Sequence, residues 1–422
     1  MSDSSTIEKN NAGKYAILPI FLIIFLDMIG FGIIIPLLAP LLLDPTVGLL
    51  PGADLAARTF MLGLMVSIYP LAQFFGAPIL GGLSDRSGRK KVLIISLAGT
   101  LLGYILFAVG IMANNIWLLL FSRALAGFTG GNISIAFSAI ADISDAKSKA
   151  KNFGFIGMAF GFGFIIGPFI GGKLADPSLV SWFDFATPFW FAAILSLLNI
   201  FLVMKLFKET STTRVNSKLS LMTGFKNIEK AFHLPDLRAI FLVIFLITFG
   251  FTFFTQFFSV YLIERFNFTQ GNIGDLFAYI GIWIAIAQGV VMRPVSSRFS
   301  PEAILKFSIL ALAIILLIML VPQDPIYLYV IIPFMAIVNG LTFPTYTAIV
   351  SNLSGKESQG EIMGINQSIQ SLGMAIPPLI AGVIAAMDIT FPLIAASGIT
   401  FIAWLVFVLF YRKKKPEIFH EV

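Results

Sequence analysis

Two ionisable residues stand inside long apolar stretches, and their chemistry needs explaining first. Asp27 interrupts Leu26-Asp27-Met28-Ile29-Gly30, and Arg123 interrupts the run from Leu118 to Leu125. A charge at the centre of a membrane-spanning helix costs about 2.5–3.5 kcal/mol, so such residues usually mark a transport path. A carboxyl in low dielectric keeps its proton, and a nearby cation drives it off. Two readings fit. Either Asp27 carries a coupling proton whose release Arg123 modulates, or the two form a permanent ion pair that locks their helices. Counted along their helices, Asp27 lies about 15 Å deep from one surface and Arg123 about 10 Å from the other. In a core about 30 Å thick their depths differ by roughly 5 Å, within reach of long side chains or one water.

Other chemistries find little to work with. The chain has no cysteine, which excludes thiolate metal sites, disulfides and cysteine nucleophiles. His233 and His420 both sit in polar segments and make no metal cluster. There is no Gly-rich nucleotide loop of Walker type and no arguable nucleophile–base pair, so neither an enzyme nor a cofactor is expected. The net charge of +6 is spread over short polar segments between apolar ones, so it does not argue for nucleic acid.

The elements that must position Asp27 and Arg123 follow from composition. Of the 422 residues, 58% are hydrophobic and 12% charged, with 44 Phe; the mean hydropathy is +0.93. Soluble domains carry about 25% charged residues, so a polytopic helical membrane protein is the class. The apolar run from Tyr15 to Leu43 is too long for the core of a cleavable signal peptide. Charge-free stretches predict twelve spans near 16–42, 60–84, 92–112, 116–141, 153–173, 186–206, 239–262, 275–292, 303–321, 326–351, 361–386 and 390–411. Asn114-Asn115 breaks one long run into a hairpin of two spans. With both termini cytoplasmic, only Arg58, Lys173 and Arg265 fall in outer loops and Arg123 within a span, while the other basic residues lie at cytoplasmic ends.

The organisation expected is thus a six-helix bundle over 1–207, a cytoplasmic linker over 208–238 and a second six-helix bundle over 239–422. Within the linker, Leu221, Phe225, Ile228 and Phe232 share one helical face opposite Lys226, Glu229 and Lys230. Either a helix lying on the cytoplasmic membrane surface or a solvated linker helix fits that pattern. Six spans either side of a central loop is how two-fold repeated transporters are built.

Three motifs add specificity. Between spans two and three the chain reads Gly81-Gly82-Leu83-Ser84-Asp85-Arg86-Ser87-Gly88-Arg89-Lys90-Lys91. The glycine pair at its start is read as letting the helix end tightly and the chain reverse. This loop resembles the G-x-x-x-D-x-x-G-R signature of the major facilitator superfamily. Span four opens Arg123-Ala124-Leu125-Ala126-Gly127 with Gly131 following, similar to the family's R-x-x-x-G-x-x-x-G pattern. Span five holds Gly163-Phe164-Ile165-Ile166-Gly167-Pro168-Phe169-Ile170-Gly171-Gly172, which resembles the motif of the family's drug/proton antiporters. From residue 20 to about 210 the chain is most similar to the tetracycline/proton antiporters, with the second half matching in hydropathy and in a decayed loop motif from Gly289 to Arg298. Two departures stand out: Gly103 occupies the place of a second intramembrane acid in span three, and span nine has only Glu302 at its start.

The resemblance implies roles. Arg89 and Asp142 would pair, Asp85 would face the N-terminal end of span eleven, and Glu361 there could contact Arg86. Gly163, Gly167, Pro168, Gly171 and Gly172 would form the antiporter motif. A midplane cavity between the halves is expected, with polar candidates Gln73, Asn132, Thr252, Gln256, Asn339, Tyr346, Asn366, Gln367 and Gln370. Some of these would simply bond neighbouring helices. The phenylalanines of span seven, among them Phe249, Phe251, Phe253, Phe254, Phe257 and Phe258, suit an aromatic cavity or lipid contact equally. The resulting expectation is a monomeric proton-coupled exporter of amphiphilic small molecules in a bacterial inner membrane. Its partners would be substrate, protons and the bilayer. An exporter of one metabolite or siderophore, or a lysolipid flippase, is the alternative.

Overall fold

A computed structural model describes residues 4–47, 49–143, 149–211, 221–235, 237–353 and 359–411. Among them, eleven helices are long and apolar enough to cross a membrane, and a twelfth apolar segment, Gly161–Leu174, ends the helix Lys149–Leu174. These helices coincide with the stretches read as spans, and their contacts repeat along the chain. In the first half span one touches five and six, span two touches four, and span three touches four and six. Adding six to every number gives the main contacts of the second half. The halves meet where span five packs on span eight and span two on span eleven, two contacts that the same shift exchanges. This is the arrangement of a pseudo-two-fold repeat about an axis along the membrane normal.

Several spans are not the continuous rods that hydropathy suggests. Span one runs as Ser4–Ile33, turns, and resumes as Leu38–Leu43, whose residues are all buried. Span four breaks at Gly130-Gly131 into Ile116–Thr129 and Asn132–Ile143. Span eight passes through a π-helical turn over Ala287–Val291, which contains Gly289, and span eleven restarts at Pro377. Hydropathy cannot register such breaks because the residues that make them are small or apolar. At the end opposite the basic residues, buried Arg58 donates to the carbonyls of Leu42 (2.9 Å), Leu50 (2.8 Å) and Ala53 (3.1 Å), clamping the loop after span one. The hairpin expected at Asn114-Asn115 is present: Asn114 adopts φ 47°, and the Asn115 side chain accepts from the Trp117 and Leu118 amides at 3.1 Å.

Two expectations need correcting. The helix of span two does not end at Gly81-Gly82 but continues to Ser87, because the chain reverses at Gly88 alone, with φ 98°. The span-seven phenylalanines mostly serve neither lipid nor cavity: Phe253, Phe254, Phe257 and Phe258 are fully buried in the protein core.

Within the linker, Thr223–His233 is helical. Its Phe225 ring meets Phe74 of span two edge-on at 5.1 Å, and Asn227 Nδ2 donates to Ser368 Oγ of span eleven at 3.0 Å. The helix is therefore tied to both halves while Leu221 and Phe232 stay exposed. Since the chain has no native cysteine, its orientation can be read by single-cysteine labelling. An impermeant maleimide added to intact cells is expected to label the exposed Ser178→Cys and leave Ser297→Cys unlabelled until the cells are opened. The reverse pattern would invert the topology.

Candidate functional site

The broken fourth span decides the surroundings of Asp27. Where the helix stops, carbonyls lose their partners, and in hydrocarbon each must find another. Gln73 Nε2 supplies one, donating to Gly130 O at 2.8 Å, and Ser96 Oγ supplies another, donating to Thr129 O. The chain then restarts at Asn132, which is buried, and the Asn132 side chain hydrogen-bonds Asp27. The N-terminus of a twelve-residue helix thus stands close to an intramembrane carboxylate, where its dipole favours negative charge.

Arg123 is buried, with its guanidinium 4.6 Å above the Tyr69 ring. Its Nε has no hydrogen-bond partner, and no ion pair joins Arg123 to Asp27 among the described residues. Tyr69 and Tyr104 feel the charges of both Asp27 and Arg123, so the four form one electrostatic cluster. A cation over an aromatic face is held without being neutralised. Neither tyrosine was singled out from sequence, where Tyr69 and Tyr104 read as ordinary apolar-span residues. Gly103, beside Tyr104, has no room for an acid: a Cβ there would lie 2.8 Å from Ala126 Cβ.

The span-five motif packs directly against this cluster. A Cβ on Gly167 would fall 2.7 Å from Ile29 O and 2.8 Å from Gly32 Cα, while Gly163 backs onto Met28, the residue after Asp27. Gly171 continues the seam along Ile33. Gly172 turns to the other half, where a Cβ would come within 3.1 Å of Gly274 Cα in span eight, and Pro168 O lies against Gly274 as well. Three helices therefore meet on one motif. Just beyond it, Lys173 Nζ bonds Asp275 Oδ2 at 2.8 Å across the halves, and Gln270 Nε2 donates to Ala175 O at 3.1 Å.

At the basic end lies a second cluster. Arg89 bonds Asp85 (2.5 Å), Asp142 (3.1 Å) and Ser84 Oγ (2.6 Å). Glu209, just past span six, accepts from the amides of Arg89 (2.9 Å), Lys90 (3.2 Å), Thr210 (3.1 Å) and Ser211 (3.1 Å), while Thr210 Oγ1 donates to Asp142 at 3.1 Å. Partial burial disfavours the Glu209 anion, but those four amide bonds outweigh it and hold its carboxyl below the ordinary glutamate range. A side chain at Gly88 would collide with Glu209. Among the described residues Asp85 pairs with Arg89, and its expected contact at the N-terminal end of span eleven falls outside them. Residues 354–358 and the side chain of Glu361 lie outside the described residues, as does the expected contact of Glu361 with Arg86, itself half-buried. Gly81 faces open space.

The cavity candidates separate into groups. Gln73 and Asn132 belong to the span-four break. Tyr346 is buried and bonded to Thr248, and Thr252 Oγ1 donates to Thr248 O within its own helix. Asn366 and Gln370 are buried in span eleven, and Asn366 Oδ1 has no partner among the described residues. Gln256, Asn339 and Gln367 are half-buried.

Comparison with known proteins follows these features closely. A sequence model described as Major Facilitator Superfamily matches residues 20–378 and again 240–420. The chain belongs to the major facilitator superfamily. Tetracycline resistance protein, class E, of Escherichia coli is 31% identical over 363 residues, covering 85% of each chain. Quinolone resistance protein NorA of Staphylococcus aureus is 30% identical over 399 residues, covering 94% of this chain and 96% of its own. The likeness that the motifs carry in the first half therefore extends through the second. Among solved structures, the human organic anion transporter MFSD10 (TETRAN) superposes with a TM-score of 0.75 at 22% identity, over 94% of this chain and 99% of that one. A D-xylose-proton symporter does so with 0.75 at 15%, over 94% and 98%. As a member of the superfamily, this chain is a multi-pass membrane transporter.

Two outcomes test the site. Gly167→Val should force spans one and five apart, an overpacking cost of about 1–3 kcal/mol, visible as a lowered melting temperature of the purified protein. Glu209 ionises more readily in the folded chain, so its stabilisation is full above the ordinary value of 4.5 and fades as pH falls through the lower folded value. Glu209→Gln is thus expected to melt about 2 °C earlier than the native protein at pH 7, with the gap closing as the pH falls below 4.5. A gap that persists in acid would remove the carboxylate from the argument.

Proposed function

We propose that this chain is a proton-coupled exporter of amphiphilic small molecules, working by alternating access in a bacterial inner membrane with both termini cytoplasmic. The observation that carries the reading is the setting of Asp27: a carboxyl inside a span, bonded by Asn132 at a helix N-terminus, beside tyrosines that feel both its charge and that of Arg123, with no ion pair between the two among the described residues. A locked pair would argue for a structural strut. A cation held over Tyr69 instead leaves the carboxyl free to gain and lose a proton as its surroundings change. The names of the relatives, resistance proteins for tetracycline and quinolone, support drug-like amphiphiles as the substrate class.

Protonation of Asp27 removes the charge that favours the Asn132 helix end and so weakens the attachment of span one to span four. Span one also carries the span-five glycine seam, and span five carries the contact with span eight. A change at Asp27 thereby reaches the seam between the halves 1–207 and 239–422, joined by the linker 208–238. The Arg89, Asp85, Asp142 and Glu209 cluster gates the cytoplasmic end, and the Lys173–Asp275 pair closes the outer one. Substrate binds near the midplane against Asn366, Gln370, Gln256, Asn339 and Tyr346, where the spare carbonyl of Asn366 offers an acceptor.

The test is substrate-driven proton movement in proteoliposomes that enclose a pH dye. With a panel of lipophilic cations, quinolones and tetracyclines, at least one compound is expected to drive proton flux, and Asp27→Asn to reduce that flux at least tenfold. Transport that continues unchanged in Asp27→Asn, or that moves a compound with no proton flux, overturns the proposal.

A further inference from the structure

At the basic end, the start of span seven, the ends of spans ten and twelve, and the last turn of the linker helix enclose a groove of about 540 Å³. Phe232, Leu242, Leu353 and Leu409 form its apolar lining, with Arg238 and Tyr411 as its polar members. The groove opens outward from the protein: Phe232 is 62% exposed and Leu409 66%. In a spanning protein that direction is occupied by the acyl region of the surrounding leaflet.

Arg238 is exposed and is the first residue of the helix Arg238–Phe266. Among the described residues it forms no ion pair, and its guanidinium makes no hydrogen bond. A guanidinium presents a planar fork of donors that matches phosphate. Tyr411 completes the wall with its ring stacked on Phe407 at 4.8 Å, an amphipathic residue at the depth where headgroups begin. Directly after it the sequence reads Arg412-Lys413-Lys414-Lys415. An apolar groove open to the outside, a cation beside it without a partner among the described residues, and a run of four bases next in sequence select against a headgroup that carries its own cation. They favour one that is net negative, as basic pockets between spans do.

We infer that this groove is a binding site for one anionic phospholipid of the cytoplasmic leaflet. The phosphate bonds Arg238, and an acyl chain lies along Leu242 and Leu409. A lipid seated there touches the linker's Phe232 together with spans seven, ten and twelve, and so fastens the linker to the second half. The inference does not depend on which substrate is carried or whether protons drive it.

Native mass spectrometry of the full-length protein in neutral detergent tests it, with phosphatidylglycerol and phosphatidylcholine of identical acyl chains supplied in equal amounts. The native protein is expected to retain one phosphatidylglycerol in at least fivefold preference, the order expected for one basic residue at an anionic headgroup. Arg238→Ala should bring retention down to the phosphatidylcholine level, and Arg238→Lys should keep most of the preference. Leu242→Trp, which fills the groove without touching the charge, should expel both lipids. Equal retention of the two lipids by the native protein overturns the inference. So does a preference that survives both Arg238→Ala and Leu242→Trp, which would assign the lipid to the basic tail instead.

Discussion

Hydrocarbon supplies no hydrogen bonds, so every polar group taken into it must be answered from within the protein. Much of this structure is an answer to that demand. Where span four stops at Gly130-Gly131, Gln73 and Ser96 satisfy the carbonyls on one side and the restarted helix offers its N-terminus on the other. Asp27 stands at that restart, bonded by Asn132. A continuous span four would leave Asn132 in mid-helix with no free helix end nearby. The break and the acid therefore belong together, the first making the second tolerable.

Close backbone contact carries the influence of that site outward. The glycines of span five let its backbone touch that of span one at Ile29 and Gly32, and a few residues on they let it touch span eight at Gly274. Interfaces built from backbone have little side-chain freedom to absorb a shift, so a movement at one is passed to the other. Such packing is the usual means by which membrane helices associate, since apolar side chains gain little by leaving lipid for protein.

Much of this was legible in the sequence and some was not, for identifiable reasons. Charges are excluded from hydrocarbon, so the spans could be counted from gaps, and Arg89 and Asp142 announce themselves as opposite charges at neighbouring span ends. Breaks inside spans were invisible, because Gly130-Gly131 reads equally as a packing motif and Pro377-Pro378 as part of an apolar run. Glu209 was missed because its partner Arg89 lies 120 residues away, and the Lys173–Asp275 pair because its members are 102 apart. Tyr69 and Tyr104 carry no polar signature in a chain so rich in aromatics. Their importance comes only from the packing of spans one to four, which brings them around Asp27 and Arg123.

The π-helical turn at Ala287–Val291 has a bearing on the history of the molecule. Such a turn takes in one extra residue without ending the helix, because its wider coil spreads the added residue over about one turn and leaves the helix beyond it nearly in phase. Span eight occupies in the second half the place that span two holds in the first, yet among the described residues Arg293 and Arg298 form no ion pair, whereas Arg89 pairs with Asp85 and Asp142. An ancestral duplication would have supplied two equivalent loops. A residue inserted there is absorbed by the turn, so span eight keeps its packing while the loop after it, no longer holding a charge cluster like the one the first half retains, is free to drift into the remnant seen from Gly289 to Arg298.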